Sequence, residues 1–223
     1  MREETPDIYL DLQRKLMNRV FVSGAKIKPA DLQDTYGCSA NTIRENLLRL
    51  TNLGLVTFEA QRGFRVAEAS QAAFNDITQF RILLEQEGTV QSIRNGGVKW
   101  ESDLSASHHR LVHIERAISI DGEVESYLAL WSEAERDFHE TMISGCQSAI
   151  LRETYGRVYM QFRQQMVNLE RNFSTPYFET VTREHQAILD AVLARDEAAA
   201  RQAIYDHLKR NIRELAEVEA IIA

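Results

Sequence analysis

Cysteine is nearly absent from this chain of 223 residues. The two present, Cys38 and Cys146, lie far apart in the sequence, which excludes a disulfide framework and any CxxC metal ribbon. Proline is as scarce: Pro6, Pro29 and Pro176 each stand near the start of an expected segment, so long helices are free to run between them. Long apolar runs are missing too. No stretch approaches the roughly 20 apolar residues needed to cross a bilayer, so no membrane partner is expected. The start, MREETPDIYLDLQRKLMN, scatters charges where a secretory leader would carry an apolar core, and the expected location is therefore cytoplasmic. No internal repeat and no low-complexity tract is present.

What is there is a globular composition, 44% hydrophobic and 26% charged, with a net charge of -7. The charge is unevenly spread. Residues 1 to 66 hold 10 Lys+Arg against 8 Asp+Glu, and the remainder holds 16 against 25. An acidic remainder repels nucleic acid, so any contact with phosphate falls to the N-terminal part, whose small surplus implies salt-sensitive binding that gains from doubling in a dimer.

The N-terminal pattern predicts three short helices and a hairpin. Ile8, Leu12, Leu16 and Val20 space like one helical face, with Gly24 closing the segment. PADLQDTY follows and is closed by Gly37; Ser39 then caps ANTIRENLLRLTNL, where Ile43, Leu47 and Leu50 form the inward stripe. LVTFEAQRGFRV reads as two strands around a turn at Gln61, Arg62 and Gly63. Two helices joined by a tight turn and followed by a wing make a winged helix-turn-helix, whose second helix enters the major groove. With the inward stripe fixed, the face left for DNA carries Asn41, Thr42, Arg44, Glu45 and Arg49, and the helix start offers backbone N–H groups to a phosphate. Arg62 and Arg65 extend from the wing.

From residue 70 onward the strand pattern disappears. Six helices are expected at about 70 to 94, 101 to 119, 123 to 145, 148 to 172, 176 to 194 and 197 to 221, separated by Gly-, Ser- and Asp-containing breaks. The expected fold is thus mainly α: a winged helix-turn-helix over residues 1–67 and a six-helix antiparallel bundle over 68–223. Glu135 and His139, four apart, share a face with Trp131 and Met142 and so point inward. His185 stands in the stripe Val181, Ile188, Val192, and His207 flanks Ile204 and Leu208. If the last two helices form a hairpin turning near Arg195 and Asp196, His185 and His207 stand at one height, roughly 15 to 17 Å from the turn at ~1.5 Å rise per residue. Three neutral imidazoles and a carboxylate facing one cavity suit a divalent transition metal with open positions. Each histidine alone also reads as a hydrogen-bonded core residue. His108, His109 and His113 read as surface or packing residues.

DLQDTYGCSANTIRENLLRLTNLGLVTFEAQRGFRVAE resembles the DNA-binding head of the GntR family, with Gly37, Ser39, Arg44, Glu45, Leu47, Leu50, Gly54, Leu55, Val56, Arg62, Gly63 and Val66 in register. The DNA-binding set implied by face and resemblance together is Ser39, Asn41, Thr42, Arg44, Arg49, Arg62 and Gly63. Ala40 stands where the family commonly has Arg, so the operator sequence does not carry over. The pieces NDITQFRILLEQEGTVQSI, AERDFHETMI and REHQAILDAVLARDEAAARQAIYDHL are similar to the FCD ligand-binding domain of the FadR branch, in its six-helix VanR-type form.

That resemblance implies a homodimeric, ligand-responsive regulator of transcription, most often a repressor, bound to double-stranded operator DNA. It also implies a metal such as Zn or Ni on Glu135, His139, His185 and His207, where the family usually has Asp or Asn in place of Glu135, and Arg81 as the contact for a small carboxylate effector. Pairing of Arg81 with Glu85, four residues on, is the competing use of that guanidinium. Two other readings stay open at this point: a metal that only stiffens the domain, and a metal-dependent hydrolytic enzyme, for which no further acid or base stands out.

Overall fold

The computed structural model describes residues 7–169 and 173–213. The first elements are α1 (Ile8–Met17), β1 (Lys26–Ile27), a 3-10 turn (Pro29–Leu32), α2 (Gln33–Tyr36), α3 (Ala40–Thr51), β2 (Val56–Glu59) and β3 (Gly63–Val66). They are followed by six helices: α4 (Gln71–Asn95), α5 (Val98–Asp121), α6 (Val124–Met142), α7 (Ala149–Asn168), α8 (Thr175–Leu193) and α9 (Glu197–Lys209). The mainly helical fold with an N-terminal winged head is the one expected from the sequence.

By contacts the chain divides into two units. One comprises Met1–Phe74 with Met160–Arg171; the other comprises Asn75–Tyr159 with Asn172–Ala223. In the first unit, Leu12, Leu16, Ile43, Leu47, Leu50, Leu55 and Phe64 close an apolar core, joined by Met160 from α7. Ser39 caps α3, its hydroxyl accepting from the Thr42 N–H at 3.2 Å, and Gly37 takes the left-handed conformation (φ 60°) that lets α2 turn tightly into α3. The second half of α7 is held by its amides. Gln161 donates to the Leu53 carbonyl at 2.8 Å, Gln164 to Leu55 at 2.9 Å and Gln165 to Glu68 at 3.0 Å. Gly54, at φ 73°, is required here, because a Cβ would stand 2.6 Å from the Gln161 amide nitrogen.

Two details of the head depart from expectation. α1 stops at Met17 and Arg19 turns left-handed (φ 57°), so Val20 is 62% exposed instead of completing the buried face. The SGAKIKP loop contains strand β1, which makes the wing a three-stranded antiparallel sheet of order β1-β3-β2, with Ile27 opposite Phe64. A two-residue strand has too little alternation to be read from sequence.

In the second unit α5 packs against both α6 and α8, and α8 against α9. The helices follow the expected breaks: Gly122 ends α5, Pro176 lies in the first turn of α8, and Asp196 caps α9 by accepting from the Ala199 N–H at 2.9 Å. α9 stops at Lys209, capped at Arg210, short of the expected run to about 221, which no break in the sequence foretold; residues beyond 213, and 170–172 at the expected end of the helix before Ser174, lie outside the described residues.

Candidate functional site

Helices α6, α8 and α9 each deliver one imidazole to the interior of the second unit. His139 and His185 are fully buried and His207 nearly so, and one ligand atom from each lies within 4.8 Å of the others. The rings are packed against one another, with centroids 4.5 Å apart for His185 and His207 and 5.4 Å for His139 and His207. The α8–α9 hairpin turns at Ala194 to Asp196 and brings His185 and His207 together, as the equal-height argument requires.

Each Nδ1 faces a carboxylate. Glu85 on α4 lies 2.9 Å from Nδ1 of His139, Glu184 on α8 lies 2.9 Å from Nδ1 of His207, and Glu115 on α5 lies 2.9 Å from Nδ1 of His185. The first two are hydrogen bonds; at His185 the distance is right but the ring is not aligned for one. An ionised carboxylate only accepts, so in those two hydrogen bonds Nδ1 carries the hydrogen. Burial, and then the neighbouring His185 and His139, push the His207 pKa well below the ordinary imidazole value, so this ring is neutral at pH 7. Among the described residues, Nε2 of His139 and Nε2 of His185 are buried without a hydrogen-bond partner. Three buried imidazoles that converge, two of them with Nε2 atoms lacking a hydrogen-bond partner, are the kind of donor set that a divalent transition metal takes, so the residues present fit such an ion.

Glu135 stands beside the trio and is not one of the three clustered ligands. Its Oε1 accepts from Arg81 at 3.0 Å and lies 3.4 Å from Nε2 of His139, and its Oε2 accepts a hydrogen bond from the Tyr159 hydroxyl. Burial, the largest influence, would raise its pKa, but Arg81, His139 and the Tyr159 hydroxyl together outweigh that and hold it at about 2. Arg81 is itself fully buried and also donates from Nε to Glu85 at 2.6 Å, so the competing Arg81–Glu85 pairing is present in the structure. Glu115, Glu184 and Tyr159 are site residues that the sequence reading missed, and Glu85 was read as a partner of Arg81 but not of His139. The i, i+4 spacing of Arg81 and Glu85 and the adjacency of Glu184 to His185 were usable signals; Glu115, two turns from His108 on α5, gave none. Of the three histidines on α5, His108 is buried against Phe138 with ring centroids 5.5 Å apart, and burial lowers its pKa to about 4. His109 and His113 are exposed.

In the head, Ser39, Asn41, Arg44 and Arg49 are exposed, Thr42 is partly so, and Ile43, Leu47 and Leu50 are buried opposite them. Arg49 stacks on the Tyr9 ring at 4.0 Å. At the wing tip Arg62 is exposed and pairs loosely with Glu59 at 3.4 Å, and Gly63 (φ 76°) opens β3. Arg65 is engaged at home, donating to the Gly24 carbonyl at 2.9 Å.

A winged helix-turn-helix in one unit and a buried histidine cluster in the other fit a DNA-binding regulator of transcription. The chain belongs to the GntR family of bacterial regulatory proteins, FadR branch: residues 5–66 match the gntR family and residues 76–210 match the FCD domain. It is 32% identical over 201 residues, 90% of this chain and 80% of the relative, to the uncharacterized HTH-type transcriptional regulator BphR of Paraburkholderia xenovorans (strain LB400). It is 30% identical over 204 residues, 91% of both, to the HTH-type transcriptional repressor GlaR of Escherichia coli (strain K12). The galactonate operon transcriptional repressor of E. coli (strain K12) is 23% identical over 96% of this chain and 98% of its own length. The same fold is seen in E. coli McbR/YncC, with a TM-score of 0.77 at 19% identity over 100% of both chains, and in a GntR regulator from Rhodococcus sp. RHA1, at 0.72 and 20% over 98% of both. The families and relatives are transcriptional regulators, so the protein is a regulator and not an enzyme. Among the described residues no helix is long and apolar enough to cross a membrane.

Proposed function

We propose that this regulator is a homodimeric repressor whose domain of residues 68–223 senses a small organic acid beside a divalent transition metal, zinc or nickel, held by His139, His185 and His207. The observation that carries the metal is the convergence of three imidazoles with buried, unpartnered Nε2 atoms on His139 and His185. A bound dication would supply the positive charge against which a carboxylate can be held. Glu135 and Arg81 border that position, and Arg81 is the guanidinium offered to the acid. Two of the relatives described are repressors, which supports that sign of regulation. The head of residues 1–67 reads one half-site of a palindromic operator through Ser39, Asn41, Thr42, Arg44, Arg49, Arg62 and Gly63, and a second copy reads the other. Effector binding changes DNA affinity by its differential affinity for two arrangements of the protein.

Metal analysis of the purified protein beside His139→Ala and His185→Ala, followed by calorimetric titration with small carboxylic acids, tests the reading. About one metal per chain, lost in both variants together with acid binding, is expected; folded protein without metal, unchanged by either substitution, overturns it. A purely structural metal is the second reading, favoured by the double pairing of Arg81 with Glu85 and Glu135. Metal retention without response to any acid would select it.

A further inference from the structure

Carboxylates surround the trio. Arg81 pairs with Glu85 and Glu135, and Arg210 pairs with Glu184. Glu115 is fully buried; its Oε1 accepts from the Trp131 indole at 3.2 Å and lies 2.9 Å from Nδ1 of His185. A buried carboxylate is costly to keep charged without positive charge nearby, and a cation held by the imidazole would add to it.

The three carboxylates that face the Nδ1 atoms come from three different helices and address three different rings at 2.9 Å. One such contact is common for any buried histidine; here three carboxylates meet three rings of one cluster. We propose that Glu85, Glu115 and Glu184 are positioning residues for the metal. Glu85 and Glu184, hydrogen-bonded to His139 and His207, hold those two rings in the Nδ1–H tautomer and make Nε2 a stronger donor; Glu115 stands within reach of His185 Nδ1, and all three supply negative charge that a dication offsets. This rests on the three-histidine metal reading and assigns it a second layer.

Zinc alone is the probe. Full-length protein is stripped with a chelator and titrated with Zn2+ in competition with a chromophoric chelator, well below its unfolding midpoint, as wild type, Glu115→Gln, Glu184→Gln and the double variant. Glu85 is left untouched because Arg81 also depends on it. Each single substitution is expected to weaken zinc by about 10- to 100-fold, and the losses to multiply in the double variant because different rings are affected. The zinc-free unfolding midpoint of Glu115→Gln is expected to stay or rise, since a buried charge has been removed; a merely structural role would lower it and leave affinity alone. Wild-type zinc affinity in both single variants overturns the proposal while the metal reading stands. Absence of zinc binding by the wild type overturns the metal reading itself, and this proposal with it.

Discussion

Nδ1 of His139 lies 2.9 Å from Oε2 of Glu85, whose other oxygen is 2.6 Å from Nε of Arg81. Through Glu135, which accepts from Arg81 at 3.0 Å and lies 3.4 Å from the far nitrogen of the same imidazole, the four side chains close a ring. Arg81 therefore holds two buried carboxylates that flank the same imidazole.

Arg81→Leu leaves Glu85 and Glu135 buried without their cation. The expected cost is about 3 to 5 kcal/mol, because an uncompensated buried charge is stranded when one member of a pair is removed. Denaturant unfolding of the metal-free protein measures it; a change below about 1 kcal/mol would mean that the two carboxylates are neutral or wet.

Metal should stabilise the folded protein by mass action. At free zinc about 100 times its dissociation constant, unfolding is expected to become about 2.7 kcal/mol less favourable, with no such gain for His185→Ala. Thermal melts over a zinc series decide this.

Acid sensitivity of the head should centre on Asp11. Its carboxylate is held by Lys15 at 2.7 Å, by the Tyr36 hydroxyl at 2.7 Å and by Arg14 at 2.6 Å, and these contacts, that of Lys15 foremost, lower its pKa from 3.8 to about 2. A lowered folded-state pKa gives stability that is complete above the unfolded value of 3.8 and is lost as pH falls toward about 2. Asp11→Asn should be less stable at neutral pH and should flatten the stability curve in that window, as read by denaturant midpoints from pH 5 to 2.

On the reading helix, Arg44 is exposed and its neighbour Ile43 is fully buried. Arg44→Ala should keep the fold and weaken binding to DNA selected from a random-sequence library by about 1 to 3 kcal/mol if it reads a base. A uniform loss across sequences, with a salt slope smaller by about 1, would assign it to phosphate instead. Unchanged binding to every sequence would remove it from the interface.

Ser39→Ala removes the α3 cap, which accepts from Thr42 N–H, and is expected to cost about 1 kcal/mol of head stability. Circular dichroism melts check it, and Ser39→Asp should restore most of the loss.

Much of this was legible in the chain itself. The stripe Ile43, Leu47, Leu50 lies inward and Arg44 outward because a 3.6-residue period leaves a helix no other way to bury its apolar side. His185 and His207 meet because a short turn between two helices fixes their relative height, and the six helices beyond residue 70 are separated at breaks visible in the sequence. These are local effects, governed by residues within a turn or two of one another.

Tertiary structure alone decided the rest. That Glu115 faces His185 from 70 positions away, that Glu135 pairs with Arg81 and Tyr159, and that Gln161, Gln164 and Gln165 of α7 donate to the carbonyls of Leu53, Leu55 and Glu68 depend on which helix faces which. Pairing between buried charges is set by distance in space and by the cost of leaving either one alone, and no periodicity along the chain encodes that.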